Sequence, residues 1–301
     1  MDLSIIIVSF NTKDLLVSCI KSILDYTKGE RFEIIVVDNG SKDGSAEAAK
    51  RLGVRVIENN NNPGFATANN QGFKVSNGKY ILFLNSDTII HDNVLGEMTA
   101  WMKLNSKAGA TTCALKNKDG SMQATGGYFP TLLSVFSWMT IQDLPFIDSI
   151  IKPFHPYHTK SLFFKGDSFY KSEKELDWVT GAYLMSRRDV LEQTGGWDEK
   201  FFMYVEEVDL CYRIKKLGYK IRYLPKWSIT HLGGASSKGS ELSLISEFEG
   251  IKKFYKKFYP SWQFPFLRLI LKIGALGRIV LFGILEGRQS ANIYAKVFKS
   301  T

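Results

Sequence analysis

Three acids crowd one helical turn at Glu206-Glu207-Val208-Asp209. A further acid ends the triplet Asn85-Ser86-Asp87, and an imidazole opens His231-Leu232-Gly233-Gly234-Ala235-Ser236. Carboxylates and imidazoles are the side chains that move protons near neutral pH and hold divalent cations. On a helix, Glu206 and Asp209 share a face at i,i+3 while Glu207 lies about 100° away, so the three cannot all play one part. A structural use stays open: acids suit the start of a helix, and Asp209 reaches Arg213 at i+4. Asp87 follows the apolar run 80–84 and so stands at the carboxyl end of a strand, where a cation can bridge it to phosphate oxygens. It can equally be a turn former or a helix N-cap. His231 becomes more than a structural histidine when paired with that remote acid. Imidazole nitrogen plus carboxylate oxygen make a Mn2+ or Mg2+ site that substrate phosphates complete, and the small residues after it can close over a phosphate.

The elements that must carry these groups follow from periodicity. Short β-branched runs at 3–9, 33–37, 55–58 and 80–84 alternate with helical patterns, a βαβ series that builds a parallel sheet. Ligands bind at the carboxyl ends of such strands. Those ends carry Ser9-Phe10-Asn11, Asp38-Asn39-Gly40-Ser41 and Asn85-Ser86-Asp87, so three polar clusters converge on one edge. Residues 126–174 break the rhythm with aromatics and Pro130, Pro145, Pro153 and Pro156, which reads as an irregular excursion or lid. Regular structure is expected again as a strand over 178–186, a helix over 204–217 and a strand over 220–224, with helical, basic sequence beyond His231.

At 301 residues and 45% hydrophobic content, the chain can build a core domain plus an appendage. Cys19, Cys113 and Cys211 show no paired spacing, which suits a reducing compartment, and the first apolar run is too short for an export signal. Net charge is +9, yet residues 242–301 hold ten Lys and Arg against three acids, leaving +2 for the rest. Basic charge thus lies beside the most apolar stretch, which fits an anionic membrane surface through 250–290 and not a nucleic acid. Arg268, Lys272 and Arg278 interrupt that stretch; at about 2.5–3.5 kcal/mol each they argue against spanning and for lying in the interface. Packing on the core, or against a second copy as a homodimer, is the other use of such a helix. In the excursion, Leu133, Phe136, Trp138 and Met139 suit either a lipid-linked acceptor or an ordinary apolar lid.

The ordered motifs resemble glycosyltransferase family 2, in particular its rhamnosyltransferase-like branch, over roughly residues 3–240. Ile6-Ile7-Val8-Ser9-Phe10-Asn11 resembles the family's opening strand and Val36-Val37-Asp38-Asn39-Gly40-Ser41 its nucleotide turn. Asn62-Pro63-Gly64-Phe65-Ala66-Thr67-Ala68-Asn69 is similar to the donor-contacting helix start, and Trp178-Val179-Thr180-Gly181-Ala182 to the acceptor-side strand. Asn85-Ser86-Asp87 takes the place of the Asp-x-Asp metal motif, Gly195-Gly196-Trp197-Asp198 through Asp209 that of the segment holding the base, and the His231 segment that of the late metal loop.

The resemblance implies an α/β GT-A fold over 1–240, with 126–174 as an acceptor-side excursion and 241–301 as a basic helical region. It implies a dTDP- or UDP-sugar donor, with Asp38 on the pyrimidine and Ser9, Asn11, Gly64 and Asn69 lining the pocket. Mn2+ or Mg2+ would sit on Asp87 and His231, and Glu207 would act as base in an inverting transfer, with Glu206 and Asp209 beside it. The acceptor would be a saccharide or polyprenyl-linked hydroxyl at the cytoplasmic face of the plasma membrane, in polysaccharide synthesis. Two positions depart from the family: Asn85 replaces the first metal-motif acid, and Glu206-Glu207 replaces the usual Glu-Asp, making the base one methylene longer. Those departures admit a catalytically silent sugar-nucleotide binder as the rival. A nucleotidyltransferase would need a basic Gly-rich loop after Ser9, and none follows it.

Overall fold

Ile- and Val-rich runs long enough for a strand and too short for a helix become buried parallel strands. In the computed structural model, β1 (Leu3–Ser9), β2 (Phe32–Asp38), β3 (Arg55–Glu58) and β4 (Tyr80–Asn85) alternate with α1 (Lys13–Tyr26), α2 (Ser45–Arg51) and α3 (Phe65–Val75). All residues are described except 143, 145, 146, 157–167, 234–239 and 286. Pro145, part of the 126–174 excursion and Gly234-Ala235-Ser236 of the expected phosphate loop therefore lie outside the described residues. Next come β5 (Thr88–Ile89), α4 (Val94–Leu104), β6 (Ala108–Lys116), β7 (Gly126–Gly127), α5 (Leu132–Thr140) and α6 (Ile147–Ile150). The chain continues through β8 (Lys174–Leu176), β9 (Trp178–Val179), β10 (Tyr183–Arg187), α7 (Arg188–Thr194), α8 (Glu206–Lys216) and β11 (Lys220–His231), and closes with α9 (Ser240–Phe258), α10 (Gln263–Leu285) and α11 (Arg288–Ser300).

Two compact units result. The first holds residues 1–126, 167–202 and 206–238; the second holds 127–166, 203–205 and 239–301. In the first, a nine-stranded sheet runs β3-β2-β1-β4-β10-β6-β11-β5, with β8 also on β11. β1, β2, β3 and β4 pair in parallel, as do β6 and β11, while β10 lies antiparallel between β4 and β6. Leu16, Cys19, Ile20 and Ile23 of α1 and Val94, Leu95, Met98 and Met102 of α4 join Leu3, Ile5 and Ile7 in one core. On α3, Gly72 approaches Ile6 so closely that a Cβ there would stand 2.5 Å from the Ile6 Cγ2.

Three expected elements differ. The strand expected over 178–186 is broken into β9 and β10, because Thr180 pairs with the Thr125 carbonyl and the Thr180 hydroxyl accepts the Ala182 N–H, turning the chain at Gly181. The strand expected to stop at 224 runs to His231, because its far half pairs with both β6 and β5. The helix expected from 204 begins at Glu206, because Tyr204 and Val205 hold positive φ angles of 66° and 69°.

In the second unit, the excursion read as irregular contains the nine-residue α5, whose N-cap Thr131 accepts the Ser134 N–H. α5 lies against α10, where a Cβ on Gly274 would overlap Met139. Trp138 meets Phe154, Phe248 and the guanidinium of Arg278, whereas Leu133 and Phe136 are exposed. The cations interrupting α10 face its neighbours in this unit: Arg268 donates to the Thr301 carbonyl, Lys272 covers the Phe298 ring and Arg278 donates to the Trp138 carbonyl. Lys252, expected to face lipid headgroups, is instead buried and bonded to Glu249 and the Ser300 carbonyl. Among the described residues, no helix is long and apolar enough to cross a membrane.

Candidate active site

Parallel register sets the strand ends side by side. Ser9 pairs with Asp38, and Val8 with Asn85, so the carboxyl ends of β1, β2 and β4 form one polar edge within the first unit. The hydroxyls of Ser9, Thr12 and Ser86 form a chain with spacings of 3.2 and 3.0 Å that ties the β1 end to the β4 end. Asn11, at a φ of 53°, braces the neighbouring loop by accepting the Lys42 N–H and donating its own N–H to the Ser41 hydroxyl. Asp38 is buried; one carboxylate oxygen accepts the Ser41 N–H at 2.9 Å, and the other has no hydrogen-bond partner among the described residues. A buried acceptor left this way is costly unless something donates to it. Asn69 is buried in α3, with its amide on the Phe65 carbonyl. Gly64, at a φ of 97°, meets Phe202, and the Phe65 N–H donates to the Phe202 carbonyl. That contact brings the segment just before the acidic turn to the start of α3.

Asp87 lies buried in the turn between β4 and β5, the turn position open to it from the sequence, and caps no helix. Thr88 pairs with His231 in the sheet, and the Leu232 N–H donates to the Asp87 carbonyl. The side chains follow, with His231 Nε2 lying 3.2 Å from Asp87 Oδ1. Two ligand atoms at adjacent corners of an octahedron, each about 2.1 Å from a shared Mg2+, stand about 3 Å apart, so this spacing and donor set fit a hard divalent cation. Among the described residues no group of three or more His, Cys, Asp and Glu converges, so phosphate and water would have to supply the remaining ligands. Asn85 keeps a place beside the pair, with Nδ2 at 3.3 Å from His231 Nε2. Sequence reasoning missed Gln123, whose Oε1 lies 2.8 Å from His231 Nδ1, and the Thr12 and Ser86 hydroxyls; a lone Gln just past a turn gives no periodic signal.

The acids separate by environment. Asp209 is fully buried; its Oδ2 accepts Arg213 Nε at 2.8 Å and stands 2.6 Å from Nη2 as an ion pair, while Arg213 Nη1 donates to the carbonyls of Thr194 and Gly196. It thereby ties α8 to the end of α7, the structural use open to it from the sequence. Glu206 is also buried, and one of its oxygens has no hydrogen-bond partner among the described residues. Burial, with the charge of Glu207 adding to it, raises the Glu206 carboxyl well above its ordinary value, which favours its neutral form. Glu207 follows it on the next helical position. The left-handed residues that launch α8 are gripped inside the second unit, where the Tyr204 hydroxyl donates to Ser243 and Gly250 lies against Val205. All three cysteines are buried, and loss of hydration pushes the Cys19 and Cys211 thiols up to about 12, which removes them as nucleophiles.

Residues 4–192 match the family described as Glycosyl transferase family 2. Among curated proteins, the chain is 26% identical over 215 residues to an N-acetylglucosaminyl-diphospho-decaprenol L-rhamnosyltransferase of Mycobacterium tuberculosis, covering 66% of this chain and 66% of that protein. It is 26% identical over 238 residues to the rhamnosyltransferase WbbL of Escherichia coli K12, covering 75% of this chain and 82% of that one. A mannosyltransferase from Pyrobaculum calidifontis, solved in complex with GDP-Man and Mn2+, superposes with a TM-score of 0.58 at 14% identity, over 99% of this chain and 85% of that one. The last likeness establishes the GT-A-type fold.

Proposed function

The chain belongs to glycosyl transferase family 2, and from that premise we propose an inverting, metal-dependent hexosyltransferase of cell-surface polysaccharide synthesis. The donor is a dTDP- or UDP-sugar, with rhamnose or another hexose as the transferred group, and the acceptor is a saccharide or polyprenyl-linked hydroxyl. Two relatives named as rhamnosyltransferases support the sugar class, and the diphospho-decaprenol in one of their names supports the lipid-linked acceptor. The observation that carries the reading is the approach of His231 Nε2 to Asp87 Oδ1 at 3.2 Å, beside the strand ends of Ser9 and Asp38.

Asp38 would accept the pyrimidine N–H on its unpartnered oxygen, with Ser9, Asn11, Gly64 and Asn69 around the nucleotide. Asp87 and His231 would hold Mn2+ or Mg2+, which when bound supplies positive charge to neutralise the leaving diphosphate. Glu207 would accept the proton of the acceptor hydroxyl as that oxygen attacks the anomeric carbon from the face opposite the diphosphate, inverting it in one displacement. Glu206, kept neutral by burial, would leave the ionised role to Glu207.

The proposed working place is the cytoplasmic face of the plasma membrane, reached through 250–290. Phe266, Leu269, Ile273, Leu276, Val280 and Ile284 of α10 recur at helical spacing and are all more than half exposed, forming one apolar stripe. Lys253, Lys256, Lys257 and Arg288 of the same unit are exposed and suit anionic headgroups. Glutamates in place of Leu269 and Ile273 should release the protein from anionic liposomes; if they instead convert a dimer to a monomer, the stripe is a homodimer seam.

The function is tested by screening dTDP- and UDP-sugars with and without Mn2+ for thermal stabilisation and for nucleoside diphosphate release. Glu207→Gln should abolish release while keeping donor stabilisation, and Asp87→Ala should remove the Mn2+-dependent part. Turnover retained in Glu207→Gln would move the base to Glu206. Stabilisation by donor with no transfer to any offered acceptor would favour the silent binder.

A further inference from the structure

The hairpin after β6 carries a side chain that the proposed reaction does not use. The Gln123 N–H donates to the Leu115 carbonyl, and Asn117 and Ser121 pair across the turn, so the hairpin holds Gln123 against the His231 ring. The orientation of the Gln123 amide follows from its partners. Its Nε2 lies 2.5 Å from the His231 backbone carbonyl and 2.6 Å from Asn117 Oδ1. A backbone carbonyl can only accept, so the atom facing it must be the nitrogen. Asn117 is fixed in the same way: Ser121 Oγ donates to Asp119, and therefore accepts from Asn117 Nδ2, leaving Asn117 Oδ1 for Gln123.

Both amide hydrogens of Gln123 are thus committed, and its Oε1 faces His231 Nδ1 at 2.8 Å. An amide oxygen accepts only, so Nδ1 carries a ring proton and Nε2 is the nitrogen left to face a cation. Asn85 Nδ2 lies 3.3 Å from that same Nε2. His231 Nε2 and the Asp87 carboxylate then converge at 3.2 Å, an ion pair while Nε2 holds a proton and two ligand atoms once a cation displaces it.

We infer that Gln123 is a positioning residue, which holds a proton on His231 Nδ1 and so turns Nε2 toward Asp87 as the nitrogen that receives the cation. The inference rests on the reading of Asp87 and His231 as the metal pair and adds the residue that makes the imidazole competent. Side chains behind a metal ligand commonly change metal affinity by about 10–100-fold, because they set ring orientation and tautomer.

The tautomer is read without metal from imidazole 15N shifts of the whole chain. With four histidines in the sequence, His231→Gln identifies the signal. A pyrrole-type Nδ1 and a pyridine-type Nε2 are expected, and the reverse pattern overturns the inference. Free Mn2+ is then titrated by electron paramagnetic resonance, alone and with UDP, against the natural chain, Gln123→Met and Gln123→Glu. The Met side chain, similar in length but without an acceptor oxygen, should weaken Mn2+ binding about 10–100-fold. The Glu side chain keeps an oxygen for Nδ1–H but sets its other oxygen against the His231 and Asn117 carbonyl oxygens, so it should restore only part of it. Equal Mn2+ affinity in Gln123→Met and the natural chain overturns the positioning role and leaves the metal pair standing. A natural chain that binds no Mn2+ even with UDP overturns the metal pair, and the 15N pattern still decides the tautomer.

Discussion

Replacing Glu206 by Gln should stabilise the protein, and by an amount that grows with pH. Glu206 is 5% exposed and keeps one buried oxygen without a hydrogen-bond partner among the described residues. Burial and the neighbouring charge of Glu207 raise its carboxyl well above the ordinary range in the folded protein. In the unfolded chain the same group titrates near 4.3. Above that value the folded state holds a proton that the unfolded state has lost, so stability falls as pH rises, and continues to fall until the folded group itself ionises. Each pH unit in that window costs about 1.4 kcal/mol. If Glu206 is still protonated at pH 7, the cost there is about 3.7 kcal/mol. Gln has the same shape and no proton to lose, so it removes this cost. Urea unfolding of both proteins at pH 5, 6, 7 and 8 should show the advantage of Glu206→Gln growing by about 1.4 kcal/mol per unit from about 1 kcal/mol at pH 5. An advantage that is flat with pH, or a natural chain that is the more stable at pH 7, would refute the neutral buried carboxyl.

Arg213→Met should cost about 3–5 kcal/mol, because the buried Asp209 carboxylate would lose the guanidinium it pairs with; a melting temperature within a degree or two of the natural one would show that the pair is dispensable. Gly72→Ala should destabilise by about 1–3 kcal/mol despite the better helix propensity of Ala, since the new Cβ meets Ile6 Cγ2 at 2.5 Å, and urea midpoints will decide. Gly250→Ala should lower turnover more than donor binding, because its Cβ would stand 2.7 Å from Val205 Cγ2 and 2.9 Å from the Tyr204 carbonyl oxygen, in the turn that launches Glu206 and Glu207. Unchanged kcat in a folded Gly250→Ala protein would uncouple that turn from the acids.

Much of the sheet was legible because buried parallel strands read as unbroken β-branched runs, and their polar ends mark where ligands gather. β1 and β3 fall where the apolar runs begin and end, and β2 and β4 extend those runs only at their edges. What stayed hidden depends on partners distant in sequence. Nothing local to Ser228, Ile229 and Thr230 says that β11 continues to His231; pairing with β6 and β5 decides it. The helical pattern over 204–217 is real, yet tertiary contacts hold Tyr204 and Val205 in a left-handed conformation that propensity disfavours, above all for a β-branched residue. Acid spacing alone could not separate the roles of Glu206, Glu207 and Asp209. Arg213 separates Asp209 from the others, and burial separates Glu206.

The cations of α10 show how the face of a charge changes its meaning. Counted along the sequence, Arg268, Lys272 and Arg278 weigh against a spanning helix, because each would carry a charge into hydrocarbon. Placed on the helix with Ile273 as centre, they lie about 140°, 100° and 140° away from it, whereas Phe266, Leu269, Leu276, Val280 and Ile284 lie within about 60°. Hydrogen bonds to the Thr301 and Trp138 carbonyls hold the two arginines on that other side, and Lys272 covers Phe298. The exposed stripe is therefore apolar over its whole length although the helix is not. A helix of this kind cannot bury its full circumference in a bilayer, but it can lay one face into the interface while its cations stay bonded within the protein.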